Sequence, residues 1–317
     1  MNQVTIRELA AACGVSIGTV SKALRRSERI SEETIRRVEE KARELGYVGS
    51  QAARSLSMGR RRLAIVLPTA SVHYERYTEA YLGMYPMLTA YGLLPTEVAP
   101  EEAGDFDAVL VHASLASRLS VGEGVPVGVI GGRAPALYPV TEAFPDFRIG
   151  GRLAAQFLAF ATGGGATAIL TTRREYGEDE AARGFRELSS KLGITVAAVA
   201  ECGDSPRAVS AEMRRLLASA PRLRGLFVTA PIVGAAVAAL GEAKRKITVV
   251  GSDFTRPALD ALRAGSVAAL LYSSPERQME RALIELCNRL AGRRSDGAAF
   301  RIRQELVLKS NLENYLL

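Results

Sequence analysis

Residues 5–24 read TIRELAAACGVSIGTVSKAL. Thr5 with Glu8 three residues on has the form of a capping box, in which the hydroxyl caps the backbone and the carboxylate reaches back. Behind it Ile6, Leu9, Ala10 and Cys13 recur at the spacing of one helix face. Gly14 tolerates the left-handed backbone that ends a helix. Ser16 then starts a second helix, with Val20 and Leu24 inward. Ser31 caps a third, with Ile35, Val38, Ala42 and Leu45 inward, and Gly46 ends it. Two short helices across so tight a turn form a helix-turn-helix, whose second helix enters the major groove of DNA. Ser16, Thr19, Ser21 and Lys22 occupy the face of that helix not needed for packing, and short hydroxyls and a lysine suit phosphate and base-edge contacts.

Charge is distributed to match. Residues 1–62 carry 13 Lys and Arg against 7 Asp and Glu, whereas the remaining 255 residues carry 28 against 27. Nearly all of the chain's net +7 therefore sits on its first fifth, which points to a polyanionic partner for that part. The 317 residues suit a small domain followed by a larger one, and 48% hydrophobic content supports a sizeable core. No apolar run is long enough to cross a bilayer, and MNQVTIRELA has neither the basic start nor the apolar stretch of a signal peptide. Cys13, Cys202 and Cys287 lie far apart without a CxxC pair, so they read as buried small hydrophobes and not as a metal site. A cytoplasmic, nucleoid-associated protein without cofactor is the expectation.

With these features in view, the segment from residue 3 to residue 60 closely resembles the head of the lactose-repressor/galactose-repressor (LacI/GalR) family. The likeness lies in the VT start, AACGVS, the TVS of the second helix, SEETIRRV and the ELGY that follows. It implies a helix-turn-helix domain over 1–49, a hinge over 50–60 and a two-lobed effector-binding and dimerisation domain over 61–317. By that resemblance Ile17, Gly18 and Lys22 face base edges, while Thr5, Ser16, Thr19, Ser21, Ser31 and Tyr47 mainly hold the phosphate backbone. Ser50, Ala53, Arg54 and Leu56 belong to a hinge helix over 50–58 that orders only on operator DNA. Two such helices pair in the minor groove of a pseudo-palindrome, with Leu56 wedged into the central base step. Gly18 has no side chain to read a base, which shifts discrimination to Ile17, Lys22 and Arg25. The family's hinge Asn is here Ser50.

Past Arg60-Arg61-Arg62 the pattern changes to short apolar runs alternating with amphipathic stretches. Runs at 63–67, 108–111, 127–130, 168–170, 196–199, 226–228, 247–250 and 268–271 read as strands buried on both faces. Stretches at 151–160, 181–192, 208–218, 232–243 and 276–290 read as helices. This is an α/β pattern of two Rossmann-like lobes, and the same resemblance implies a periplasmic-binding-protein-like effector domain. Its landmarks are Asp146 to Gly151, Arg183-Gly184-Phe185, Val249 to Asp253 and Ser274 to Gln278, with crossings between lobes near 144–148, 272–276 and close to the C-terminus. Between Pro95 and Asp105, where the family fits a helix, none is legible.

In the cleft between lobes the resemblance weakens. Sugar-responsive members carry an acidic residue, an Arg and an Asn where this chain has Gly131, Ala181 and Ala230; only Asp253 survives as a ligand acceptor. Arg133, Arg148 and Arg174, with Tyr74 and Phe147, lie on loops expected to rim the cleft, and arginine forks suit carboxylate or phosphate. The effector is thus a sugar, a sugar derivative or a small anion. Neither His73 nor His112 has a nucleophile or a ligand partner at useful spacing, and Gly163-Gly164-Gly165 lacks the ending of a phosphate loop, so no enzyme is expected. The reading is a homodimeric, effector-controlled transcriptional regulator, most simply a repressor. Its alternative is a small-molecule sensor whose head lacks specific operator recognition.

Overall fold

The computed structural model describes residues 5–24, 29–45, 61–69, 74–134, 140–172, 176–292 and 299–316. The whole of the 50–60 hinge lies outside these, as do Arg25, Tyr47 and Arg174; Tyr74 is described in its backbone only.

Three helices build the head: α1 (Ile6–Cys13), α2 (Ile17–Leu24) and α3 (Glu32–Glu44). The capping box is formed, with Thr5 N–H donating to Glu8 Oε2 at 2.7 Å and Glu8 N–H to Thr5 Oγ1 at 3.3 Å. Gly14 ends α1 at φ +64°. Ser16 Oγ accepts from Thr19 N–H at 3.1 Å and Ser31 Oγ from Thr34 N–H at 3.3 Å, so each helix start has its side-chain cap. Leu9, Ala10, Cys13, Val20, Ala23, Ile35 and Val38 form the core of the head. Ile6, Leu24 and Ala42 pack at its margin, and Leu45 is exposed.

Two six-stranded sheets follow. The first runs β11-β5-β4-β3-β1-β2, from β1 (Arg61–Val66), β2 (Leu93–Glu97), β3 (Ala108–His112), β4 (Val127–Ile130), β5 (Val140–Pro145) and β11 (Ala299–Ile302). Every pair in it is parallel. The second runs β12-β10-β9-β8-β6-β7, from β6 (Gly165–Thr172), β7 (Ile194–Cys202), β8 (Gly225–Val228), β9 (Thr248–Gly251), β10 (Ala269–Tyr272) and β12 (Glu305–Val307). Here only β12 runs antiparallel. Within each sheet the first five strands lie in the order 2-1-3-4-5 of a doubly wound fold, whose ligands sit outside the carboxyl ends of the strands.

On one face of the first sheet lie α4 (Tyr74–Ala90) and α10 (Pro275–Leu290), burying Leu88, Met279, Leu283 and Leu286. The other face is thinner. The stretch expected to lack a helix holds a six-residue 3-10 helix, Pro100–Asp105, and a second one, Ala113–Arg118, follows β3. Ala103, Ala116 and Leu119 close the core beneath them. In the second sheet α5 (Phe147–Thr162) and α6 (Tyr176–Ser189) cover one face, and α7 (Pro206–Ser219), α8 (Val233–Glu242) and α9 (Arg256–Ala264) the other. Phe185 stacks on Phe227 with ring centroids 5.3 Å apart.

Gly151 and Gly184, one from each of the 146–151 and 183–185 landmarks, share one packing reason. A Cβ at Gly151 would lie 1.9 Å from Ala181 O, and one at Gly184 would lie 2.0 Å from Arg148 O. The backbones of α5 and α6 touch, and only hydrogen fits between them. Asp146 Oδ1 caps α5 through Ile149 N–H at 3.2 Å, while Asp146 N–H donates to Ile302 O at 2.7 Å. The chain crosses between the sheets after β5, after β10 and between β11 and β12. The last of these divides residues 299–307 between two strands. The break falls at Arg303-Gln304 because the two halves belong to different sheets.

Candidate functional site

On the head, the face of α2 turned away from the core carries Ser16, Ile17, Gly18 and Lys22, all exposed, with Thr19 and Ser21 half-buried beside them. Ser16 Oγ and Thr19 Oγ1 are 2.9 Å apart. Ile17 is 45% exposed, an unusual place for a β-branched apolar side chain. Thr5 and Ser31 are exposed at the starts of α1 and α3, where their hydroxyls also serve as caps.

Between the two sheets lies a cavity of about 910 Å³. Its wall is built from the residues that follow strands: Pro68 after β1, His112 to Leu115 at β3, Gly131 to Arg133 after β4, Thr229 after β8, Ser252 and Phe254 near β9, and Tyr272 and Ser273 at β10. This is the location that the strand order predicts. Crossover residues close it, among them Pro145, Pro275 and Gln304. Gln278, fully buried, ties Gly131, Tyr77 and Ser273 together: its Oε1 accepts from Gly131 N–H at 2.8 Å and from Tyr77 O–H at 3.4 Å, and its Nε2 donates to Ser273 O at 2.7 Å.

Among the described residues that line the cavity, Arg76, Arg133 and Glu178 are met within the protein, and Asp204 is exposed. Arg133 lines it, but its Nε donates to the buried Glu142 at 3.0 Å, and its guanidinium lies 5.6 Å from the Phe144 ring. Arg76 spans from α4 to the second lobe, donating to Tyr272 Oη at 3.1 Å and pairing with Glu79 at 3.0 Å and Glu276 at 3.5 Å. It also lies over the rings of Phe254 and Tyr272. Glu178 accepts from Thr171 Oγ1, Thr172 N–H and Thr172 Oγ1 at 2.5 to 2.7 Å. The wall is otherwise aromatic and hydroxylated, with Phe147, Phe254 and Tyr272 beside Ser114, Thr229 and Ser252.

Two of the expected effector contacts stand elsewhere. Arg148 is bonded to Glu187 on α6, which Arg152 also pairs at 2.7 Å, so this cluster bridges two helices away from the cavity wall. The two guanidinium donors draw the Glu187 carboxyl down to about 2. Asp253 is 2% exposed and turned behind the wall. Its Oδ2 accepts from Val233 N–H at 3.1 Å and its Oδ1 from Thr255 N–H at 3.1 Å and Thr255 Oγ1 at 2.7 Å. That carboxylate fastens the start of α8 to the loop before α9. Burial outweighs these hydrogen bonds and pushes its pKa up to about 6. Of the expected contacts, Arg133 and Phe147 line the cavity. Sequence reading missed Tyr77, His112, Glu178, Gln278 and Tyr272, because only strand order brings them together.

A family description reading "Bacterial regulatory proteins, lacI family" matches residues 5–50. A second, "Periplasmic binding protein domain", matches residues 121–294, more than half of the chain. The chain carries a LacI-family helix-turn-helix domain at its N-terminus and a periplasmic-binding-protein-type domain behind it. It is 36% identical over 90 residues to the HTH-type transcriptional regulator GntR of Pseudomonas aeruginosa, covering 28% of this chain and 26% of that one. Over 83 residues it is 38% identical to the maltose regulon regulatory protein MalI of Vibrio furnissii, covering 26% of this chain and 61% of that one. These matches span less than two thirds of either relative. Among solved structures, the transcriptional regulator CelR in complex with cellobiose is similar at TM-score 0.64 and 22% identity, covering 96% of this chain and 99% of that one. AraP, an arabinose binding protein from Geobacillus stearothermophilus, is similar at TM-score 0.69 and 18% identity, covering 81% of this chain and 100% of that one. These two establish the fold.

The departure from the sugar-responsive pattern has a visible reason at position 131. Gly131 has φ +81°, and a Cβ there would lie 2.2 Å from His112 Nε2 and 3.0 Å from Tyr77 Oη. The imidazole fills the place of a side chain at 131. His112 Nδ1 lies 2.8 Å from Ser114 Oγ and 3.3 Å from Ser114 N, contacts that hold the ring in this position. Ala181 and Ala230 are buried and stand off the cavity wall.

Proposed function

We propose that this LacI-family protein is a DNA-binding transcriptional regulator, a repressor that grips a pseudo-palindromic operator as a homodimer under control of a small molecule in the interlobe cavity. The single observation that carries the reading is the pairing, in one chain, of an exposed α2 face carrying Lys22 with a strand-end cavity between two lobes. Residues 1–49 act as the head, 50–60 as the hinge and 61–317 as the effector-binding and dimerisation unit. The effector is neutral and polyhydroxylated, a sugar or sugar derivative. Support comes from the cavity: among the described residues, Arg76 and Arg133 on its wall are each paired with a carboxylate, leaving aromatic faces and hydroxyls to meet the ligand. CelR and AraP, by their own descriptions, take cellobiose and arabinose. Ligand binding alters operator affinity to the extent that it distinguishes two lobe arrangements.

Genome-wide capture of DNA by the purified protein tests this. Discrete palindromic sites are the expected result. Uniform, salt-sensitive retention of all DNA would instead make the chain a sensor without specific operator recognition.

A further inference from the structure

The connections that enter β7, β6, β8 and β9 lie side by side at the amino edge of the second sheet. Gly165 N–H donates to Gly193 O at 2.9 Å, Arg224 N–H to Ala166 O at 2.8 Å and Thr248 N–H to Arg224 O at 2.9 Å. Arg245 Nη2 adds a bond to Pro221 O at 2.7 Å, so the four connections form one surface. They carry Lys191, Arg222, Arg224, Lys244, Arg245 and Lys246, and residues 163–165, 190–193, 220–224 and 243–247 contain no Asp or Glu. Among the described residues none of the six pairs with a carboxylate, and all but the half-buried Arg245 are exposed. The 255 residues behind the head carry 28 Lys and Arg against 27 Asp and Glu; without these six, 22 remain against 27. The positive charge of the body is thus gathered at one edge.

Position 244 points the same way. Lys244 N–H donates to Gly241 O at 3.1 Å and Arg245 N–H to Leu240 O at 3.3 Å, which closes α8 in a Schellman motif. Lys244 takes the left-handed place of that motif, at φ +51°, where glycine is the residue without steric cost. The chain strains its backbone there and gains a cation.

We propose that this edge holds the phosphate backbone of a second DNA duplex, without regard to sequence, so that the protein bridges two duplexes. The carboxyl ends of both sheets face the cavity, so the basic edge and the start of β1, the first strand behind the head, look away from it on opposite sides. Four adjacent strands span about 15 Å, a length over which duplex DNA presents about nine charges. Cations alone suffice for phosphate contacts, which carry no sequence information. A protein partner would need an apolar centre, where lysine is depleted. Here Leu223 and Ile247, the apolar residues between the cations, are buried beneath them.

The full-length protein is mixed with a bead-bound duplex and a fluorescent one, both of scrambled sequence, so the outcome does not depend on operator recognition. The parent carries the fluorescent duplex to the beads, and steeply less of it as salt rises. The triple variant Arg222→Gln/Lys244→Gly/Lys246→Gln melts no lower than the parent, since glycine relieves position 244. It binds the bead duplex through its head as before but loses at least about tenfold of the bridging. With three phosphate contacts gone, the slope of log affinity for the second duplex against log salt flattens by about 2–3. Arg222→Lys/Lys246→Arg keeps every charge and bridges like the parent. A parent that does not bridge overturns the proposal, as does a triple variant that bridges equally, which assigns bridging to paired heads. Capture of poly-glutamate by the parent but not by the triple variant, with no second duplex retained, overturns it in favour of an acidic protein.

Discussion

The ring of His112 stands where a side chain at position 131 would stand, since a Cβ on Gly131 would fall 2.2 Å from its Nε2. One wall of the cavity is therefore made by a residue from the end of β3 in place of one from the end of β4. Gly131→Ala forces both a positive φ and a steric overlap, and is expected to destabilise the protein by about 2–4 kcal/mol. Adding His112→Ala removes the overlap but not the strained backbone. The double variant should therefore recover about 1–2 kcal/mol relative to strict additivity. Chemical denaturation of the four proteins measures this, and strictly additive losses would show that the two residues do not share the space.

Asp253 sets a pH dependence with a definite sign. Its folded pKa, about 6, lies above the ordinary value of 3.8 because burial penalises the charged form. Below both values the group is protonated in either state, and above both it is ionised in either. Between them only the unfolded chain releases the proton, so stability from this group falls as pH rises from about 4 to about 6, by on the order of 2–3 kcal/mol. Asp253→Asn does not titrate. Compared with the parent, it should fare worse at pH 4.5 than at pH 7.5, as read from denaturation midpoints. A gap that is constant or widens with pH would rule this out.

The caps at Thr5, Ser16 and Ser31 were legible because each is a contact three residues long. The alternation of strands and helices was legible because buried parallel strands read as apolar runs. β5 escaped notice because Glu142 interrupts it, and that charge is tolerated only through Arg133 and Ala134 N–H, the latter at 2.8 Å. Arg148 misled because proximity to Phe147 in sequence does not say which face of α5 it occupies. A one-residue step on a helix turns the side chain by about 100°, enough to take it from the cavity to Glu187. Asp253 misled for a similar reason, since its burial depends on α8 and the loop before α9 closing around it.

Arg148 offers a clean control on the cavity. Arg148→Ala breaks an exposed cluster with Glu187 and should leave ligand affinity unchanged, whereas Phe147→Ala should weaken it about tenfold or more by removing an aromatic wall. A thermal-shift screen over neutral sugars, sugar phosphates and organic acids supplies the ligand. Stabilisation by anions alone would overturn the neutral-effector reading.

Leu56 lies outside the described residues, and its role follows from the family likeness alone. If it wedges a base step, Leu56→Ala weakens specific operator binding by about 100-fold while leaving nonspecific binding intact. Equal losses on both DNAs in a gel-shift comparison would remove the wedge from the account.

The most direct test joins the two ends of the chain. The captured operator is titrated with the full-length protein, with and without the sugar that gives the largest thermal shift, alongside a scrambled duplex. The expected result is an operator Kd that changes at least about fivefold on ligand binding while the scrambled duplex shows no change. An operator Kd identical in the two conditions, with the cavity demonstrably occupied, would contradict the claim that the cavity governs the head.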